Sequence, residues 1–232
     1  MTFKNKSDLK YAFTLAEVLI TLVIVGVIAA MTIPTLINKT QKQEFVSGLK
    51  KAYSNLSTVT NKIIAEEGVP RADIGGWASS AENIYKLYKS RLSVAKDCGN
   101  GRGCVDQLSS VSGGFNGLYV KPSLNNYEKD TAFYKLILSD GVQLIFDDYI
   151  SSQQTCSQSE RGSTNMCYAL FVDVNGEKGP NAWGKDVYFF ALKENGLFPG
   201  GCDDASQAQC YKNGHGVGCA CKALRENAIN YY

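Results

Sequence analysis

From Val18 to Asn38 the chain carries no Asp, Glu, Lys or Arg. An apolar run of about 20 residues, coiled at 1.5 Å per residue, matches the hydrocarbon core of a bilayer, so a membrane-spanning helix is expected here. The flanks set its direction. Met1 to Tyr11 holds Lys4, Lys6 and Lys10 against Asp8, a bias that keeps the N-terminus cytoplasmic and sends the remainder outward. The run passes without a break into a charged helical pattern, so removal as an ordinary secretory signal after Asn38 is not expected. One charge intrudes near its start. A carboxylate in hydrocarbon costs about 2.5 to 3.5 kcal/mol unless partnered, and no Lys or Arg of the same helix is within reach of Glu17.

A small residue lies before the run instead of after it. Ala12 is followed by Phe13, Thr14, Leu15 and Glu17, with Gly26 in mid-run and Pro34 near its end. Over Tyr11 to Asn38 this pattern resembles the N-terminal cleavage and methylation segment of type IV prepilins and of the pseudopilins of type II secretion and DNA-uptake systems. The resemblance implies that a prepilin peptidase cuts between Ala12 and Phe13 on the cytoplasmic side and methylates the new amine. The family usually has Gly before the cut, so Ala12 implies slower processing. It also implies that Glu17 meets the Phe13 amine of a neighbouring subunit and drives ordered insertion into a filament. A carboxylate that merely snorkels to the headgroups is the competing reading. Gly and Pro are frequent in membrane helices in any case. Pro34 lacks a donor and its ring opposes the Ala30 carbonyl, so the stretch from Gly26 to Pro34 is one where the helix can loosen on assembly while staying straight or gently bent in a monomer.

Beyond Asn38, Phe45, Leu49, Ala52, Leu56, Val59 and Ile63 recur at alternating spacings of four and three, with Lys42, Glu44, Lys50, Lys51 and Lys62 elsewhere, so the helix continues as an amphipathic half. Gly68, followed by Val69 and Pro70, supplies its stop. Phe13 to Glu67 then spans about 80 Å. The expected organisation is a leader at 1–12, a transmembrane and polymerisation half at 13–38, an amphipathic half at 39–68 and a globular head at 69–232. The head reads as α+β. A capping box from Ser79 to Glu82 opens a second helix with Ile84, Leu87, Tyr88 and Leu92 on one face. Four strands are expected: Ala132 to Leu138, Val142 to Phe146, Cys167 to Val174 and Asp186 to Leu192. The first two form a hairpin in which Asp140 and Gly141 take positive φ. The resulting fold class is the pilin fold, a long N-terminal helix packed on a small antiparallel sheet with a disulfide-bonded C-terminal region.

All eight cysteines lie after the apolar run, an even count that points to disulfides formed in an oxidising compartment. Cys98 with Cys104 and Cys156 with Cys167 are the favoured pairs. Cys219 and Cys221 are too close to favour each other, which leaves Cys202 to Cys221 with Cys210 to Cys219, or the crossed arrangement. Zinc on the last four is disfavoured because no CxxC spacing occurs.

The segment from Asp173 to Asp186 gathers Asp173, Asn175, Glu177, Asn181 and Asp186 among glycines, hard oxygen donors that suit Ca²⁺. It is no EF-hand, because its glycine falls at the fourth position. Several pseudopilins carry a calcium loop between late strands, and this one is similar in place; Asp173, Asn175 and Asp186 are the expected side-chain ligands. A solvated hairpin loop with Asx turns is the alternative. No other cofactor is expected.

Charge and chemistry exclude several classes. The chain has 24 basic and 22 acidic residues, and without 1–12 it is formally neutral, so no basic stripe offers direct nucleic-acid binding. The single His215 sits among glycines, and the adjacent Asp147 and Asp148 face opposite ways on a strand, so an enzyme is not expected. The tail ending in Tyr231 and Tyr232 suits either a packed terminus or an inter-subunit contact. The resemblance implies a structural subunit of a type IV pilus or a type II secretion pseudopilus. Its partners are then copies of itself or other pilin-like subunits, the peptidase, an inner-membrane assembly platform and membrane lipid. Before assembly it crosses the inner membrane once with its head extracytoplasmic; afterwards it lies in a periplasmic pseudopilus or a cell-surface pilus. A membrane-anchored binding module that never polymerises, an adhesin or DNA-uptake receptor, is the alternative from another class.

Overall fold

The computed structural model describes residues 13–70, 76, 80–105, 131–147, 166–202, 210, 216 and 218–231. Helix α1 runs from Leu15 to Glu67 over 53 residues, with Pro34 inside it. It starts two residues after Phe13 because Thr14 serves as its cap. It ends where the glycine signal placed the stop: Gly68 has φ +83° and donates its N–H to the Ile64 carbonyl at 3.0 Å, a left-handed C-terminal cap.

The chain divides into two compact units, Met1–Gln41 and Lys42–Tyr232. In the first, no described side chain is buried. Leu19, Leu22, Val23, Val25, Met31 and Leu36 are each more than half exposed, and Met31 reaches 72 %. The 18-residue window of α1 with mean hydropathy 2.5 is long and apolar enough to cross a membrane. Its threonine hydroxyls are spent inside the helix: Thr21 donates to Val18 O at 2.9 Å, Thr32 to Ile28 O at 3.0 Å and Thr35 to Thr32 O at 2.7 Å.

In the second unit, burial begins at Phe45. Phe45, Leu49, Ala52, Leu56, Val59 and Ile63 are all buried, with Val46 and Thr60 beside them. This stripe joins one face of a six-stranded sheet whose spatial order is its chain order, every neighbour antiparallel. The strands are β1 (Val94–Gly99), β2 (Phe133–Leu138), β3 (Gln143–Asp147), β4 (Met166–Asp173), β5 (Val187–Lys193) and β6 (Gly196–Pro199). Tyr53 of α1 stacks on Phe190 of β5 with ring centroids 5.7 Å apart. Helix α2 (Ala81–Lys89) adds Tyr85 and Tyr88, both edge-on to Phe146 at 5.9 and 5.6 Å. Helix α3 (Cys219–Glu226) adds Cys219, Ala220 and Ala223.

The opposite face is buried too. Ile145, Ala169, Phe171, Val187, Phe189 and Ala191 pack there with Trp183, Cys104 and Val105. Burial on both faces explains why β2 to β5 read as nearly unbroken apolar runs rather than strict alternation. Four strands were expected and six are found among the described residues. The additional ones lie at the two edges: β1 is largely exposed and β6 is only four residues long.

Two local expectations are corrected. The α2 cap is Ser80, whose hydroxyl oxygen accepts from the Asn83 N–H at 3.2 Å, while Glu82 pairs with Lys86 at 2.7 Å; Ser79 lies outside the described residues. In the β2–β3 turn only Gly141 takes positive φ, +88°. Asp140 keeps an ordinary backbone because its carboxylate is engaged, accepting from the Val142 N–H and pairing with Lys51 at 3.0 Å.

Disulfides join Cys98 to Cys104, Cys202 to Cys221 and Cys210 to Cys219. Cys167 is disulfide-bonded as well, and Cys156 lies outside the described residues. The last four cysteines are thus consumed in S–S bonds, so no thiolate among them is left for zinc.

Candidate functional site

At the start of α1, Thr14 and Glu17 hold each other. The Glu17 carboxylate accepts from the Thr14 backbone N–H at 2.8 Å and from its hydroxyl at 2.8 Å, while the Glu17 N–H donates to the Thr14 hydroxyl oxygen at 3.2 Å. This is a reciprocal capping box with Thr14 at N-cap and Glu17 at N3. Within the single chain Glu17 therefore has neutral hydrogen-bond partners. Its partners lie three residues back, and its charge also suits the positive end of the helix dipole. The T-x-x-E pattern ahead of an apolar run is the sequence signal for it. Phe13 is 86 % exposed. A Cβ built on Gly26 meets nothing within 4 Å, and the helix continues through Pro34. Ala12 and the cut itself lie outside the described residues.

The second site is the loop between β4 and β5. Two carboxylates enter it from opposite ends and both are buried, Asp173 at 1 % and Asp186 at 0 % exposure. Asp173 uses one oxygen: Oδ1 accepts from the Asn175 N–H at 3.1 Å and the Gly176 N–H at 2.9 Å. Asp186 uses both, Oδ2 from the Asn181 N–H and Oδ1 from the Ala182 N–H, each at 2.7 Å. Asp186 thus organises the loop as well as facing its centre. Asn181 takes φ +50°, and Glu177 is exposed.

Among the described residues, Asp173 Oδ2, Asn175 Oδ1 and Gln143 Oε1 are buried in this region with no hydrogen-bond donor. Gln143 stands directly across from Asp173 in the β3–β4 register. Sequence reading missed it, although a glutamine inside an otherwise apolar strand, VQLIF, was the available signal. Gly176, at φ +64°, is packed so tightly that an added Cβ would lie 2.4 Å from the Gly141 carbonyl oxygen, which brings the β2–β3 turn against the loop. Burial drives the Asp173 carboxyl up to about 8, and the like charge of Asp186 adds to it against the two amide bonds. The Asp186 carboxyl is also raised by burial, offset in part by the Ala182 and Asn181 amides.

Buried oxygens without donors, together with two buried acids in the same region, are a poor arrangement for a dry loop and a good one for a hard cation. The set is two carboxylates and two side-chain amides; among the described residues no three His, Cys, Asp or Glu side chains converge. That donor chemistry fits Ca²⁺ and does not fit a soft metal. Asp147 is buried on the second sheet face, and Asp148 and His215 lie outside the described residues. No protein-family model, curated protein or solved structure matches this chain.

Proposed function

We propose that the chain is a filament-forming subunit of the type IV pilin and pseudopilin kind, anchored in the inner membrane by α1 and drawn from there into a pilus or pseudopilus. In this reading a prepilin peptidase cuts between Ala12 and Phe13 and methylates the Phe13 amine. The head lies outside the cytoplasm, where its cysteines are oxidised, and the protein does structural rather than catalytic work. The observation that carries the reading is the first unit itself. Among the described residues its large apolar side chains are exposed and none is buried, which suits a segment that sits in lipid before assembly and against other copies after it. The role of Glu17 follows. Its capping bonds keep the carboxylate satisfied in a lone subunit, and an incoming Phe13 amine exchanges a neutral partner for a charged one, a stronger hydrogen bond.

Mass spectrometry of the protein purified from membranes is expected to show a chain beginning at N-methylated Phe13. Glu17→Ala is expected to leave membrane insertion intact and abolish filament assembly, scored by pelleting and electron microscopy of sheared filaments. Wild-type filament yield from that variant returns the chain to the anchored binding-module reading.

The β4–β5 loop is proposed as a Ca²⁺ site held by Asp173 Oδ2, Asn175 Oδ1 and Gln143 Oε1, with Asp186 completing the charge. The ion supplies compensation for two buried carboxylates; the residues supply rigidity. Calcium at a hundredfold excess over its Kd is expected to stabilise the folded chain by about 2.7 kcal/mol. Thermal unfolding with calcium and with chelator measures this, and an unchanged melting temperature removes the ion from the account.

A further inference from the structure

The chain after α3 folds back onto the molecule. Asn227 takes the left-handed conformation at φ 52° and turns it, and Ile229 and Tyr231 are buried. The Tyr231 hydroxyl donates to the Gly184 carbonyl at 2.7 Å, with the Lys222 ammonium 5.7 Å from the centre of the Tyr231 ring. Gly184 belongs to the turn that presents Asp186. Its N–H donates to Val187 O at 2.8 Å, and the neighbouring Lys185 N–H donates to Ala182 O at 3.0 Å. The other end of the segment is fixed covalently, since both cysteines of the first turn of α3 are bonded to Cys202 and Cys210. The backbone there is closely fitted: Cys221 N–H donates to Gly200 O at 3.0 Å, and a Cβ on Gly201 would lie 1.8 Å from Gly218 O.

We propose that Cys219 to Tyr231 is a strap, anchored by two disulfides and latched through Tyr231 to Gly184, that holds the 181–187 turn in the shape in which Asp186 faces Asp173 and so tightens divalent-cation binding by the loop. The clause on cation binding rests on the calcium reading above; the strap does not. Gly184 is buried, so its carbonyl becomes a desolvated acceptor when the hydroxyl is lost. Latch and ion act on the same turn, and the coupling is reciprocal: whatever the latch adds to cation affinity, the bound cation returns to the latch.

The test compares the full, oxidised chain in detergent micelles with Tyr231→Phe. Amide exchange is read over 173–187 and over 133–147, and calcium chloride is titrated calorimetrically. The expected result is exchange about tenfold faster over 181–187, unchanged exchange over 133–147, and calcium binding weakened about tenfold. Faster exchange in a protein whose wild type takes up no calcium keeps the strap and removes the calcium reading. Unchanged exchange over 181–187 overturns the strap, whether or not calcium binds. If Tyr231→Phe does not fold, Lys222→Met loosens the packing on the same ring and is expected to move the same amides in the same direction; unchanged exchange there overturns the strap equally.

Discussion

Burial holds the Asp173 carboxyl near 8 in the folded chain, against an ordinary 3.8, with the charge on Asp186 as the second cause. Between those values the cation-free folded protein keeps a proton that the unfolded chain has released. Its stability is therefore full below about pH 4 and falls as pH rises towards about 8. In chelator, the urea midpoint of unfolding is expected to drop between pH 5 and pH 8, and Asp173→Asn is expected to flatten most of that slope. An equal slope in the variant would assign the pH dependence to another group. At this scale the sequence was only partly legible. Asp173, Asn175 and Asp186 could be read as hard donors because they crowd one loop. Gln143 could not, since it comes from a different strand and reaches the loop only through the β3–β4 register. Glu17 is visible in the sequence as an isolated charge, whereas its bond to Thr14 is a neutral cap that charge patterning does not reveal.

Among the elements, α1 was the most legible, since its two halves differ in pattern: an uncharged run and then a stripe of alternating threes and fours. Leu56 is fully buried in that stripe. Leu56→Ala is expected to cost about 3 kcal/mol of head stability, read by denaturant unfolding. Glycines at element ends give a sharper contrast. Gly68 has φ +83° with open space around it, whereas Gly201 has φ +91° with Gly218 O in the way. Gly68→Ala is thus expected to cost about 1 kcal/mol, a backbone effect alone, and Gly201→Ala clearly more, because its Cβ meets rigid backbone. Similar midpoints for the two variants would count against that packing. The edge strands escaped sequence reading for physical reasons. β1, Val94 to Gly99, carries Lys96 and Asp97, is mostly exposed and is bulged in two places, the features that protect an edge from pairing with another chain. β6 is four residues long, and the Asn195-Gly196 pair that precedes its run was the hairpin signal available.

For the whole molecule, the division near Gln41 separates a segment in which no described side chain is buried from one that contains both core clusters. A chain beginning at Lys42 is therefore expected to fold in water without detergent, and to melt within a few degrees of the full-length head by circular dichroism. Loss of cooperative melting would mean that the apolar half contributes to the core after all. The covalent links obey the same division: every disulfide in the structure lies after Gly68.

The sheet order, with each strand beside the one made just before it, bears on how such a chain folds as it is made. A meander grows by addition at a single front. A chain made from its N-terminus can lay down β1 to β6 in the order they arrive, never waiting for a distant partner, and so keeps the closure cost of each step small. The growing front is also the vulnerable place, an unpaired edge that moves along the sheet as synthesis proceeds. The two C-terminal crosslinks join cysteines that all follow the last strand, so they can close only on a chain whose strands have all been made.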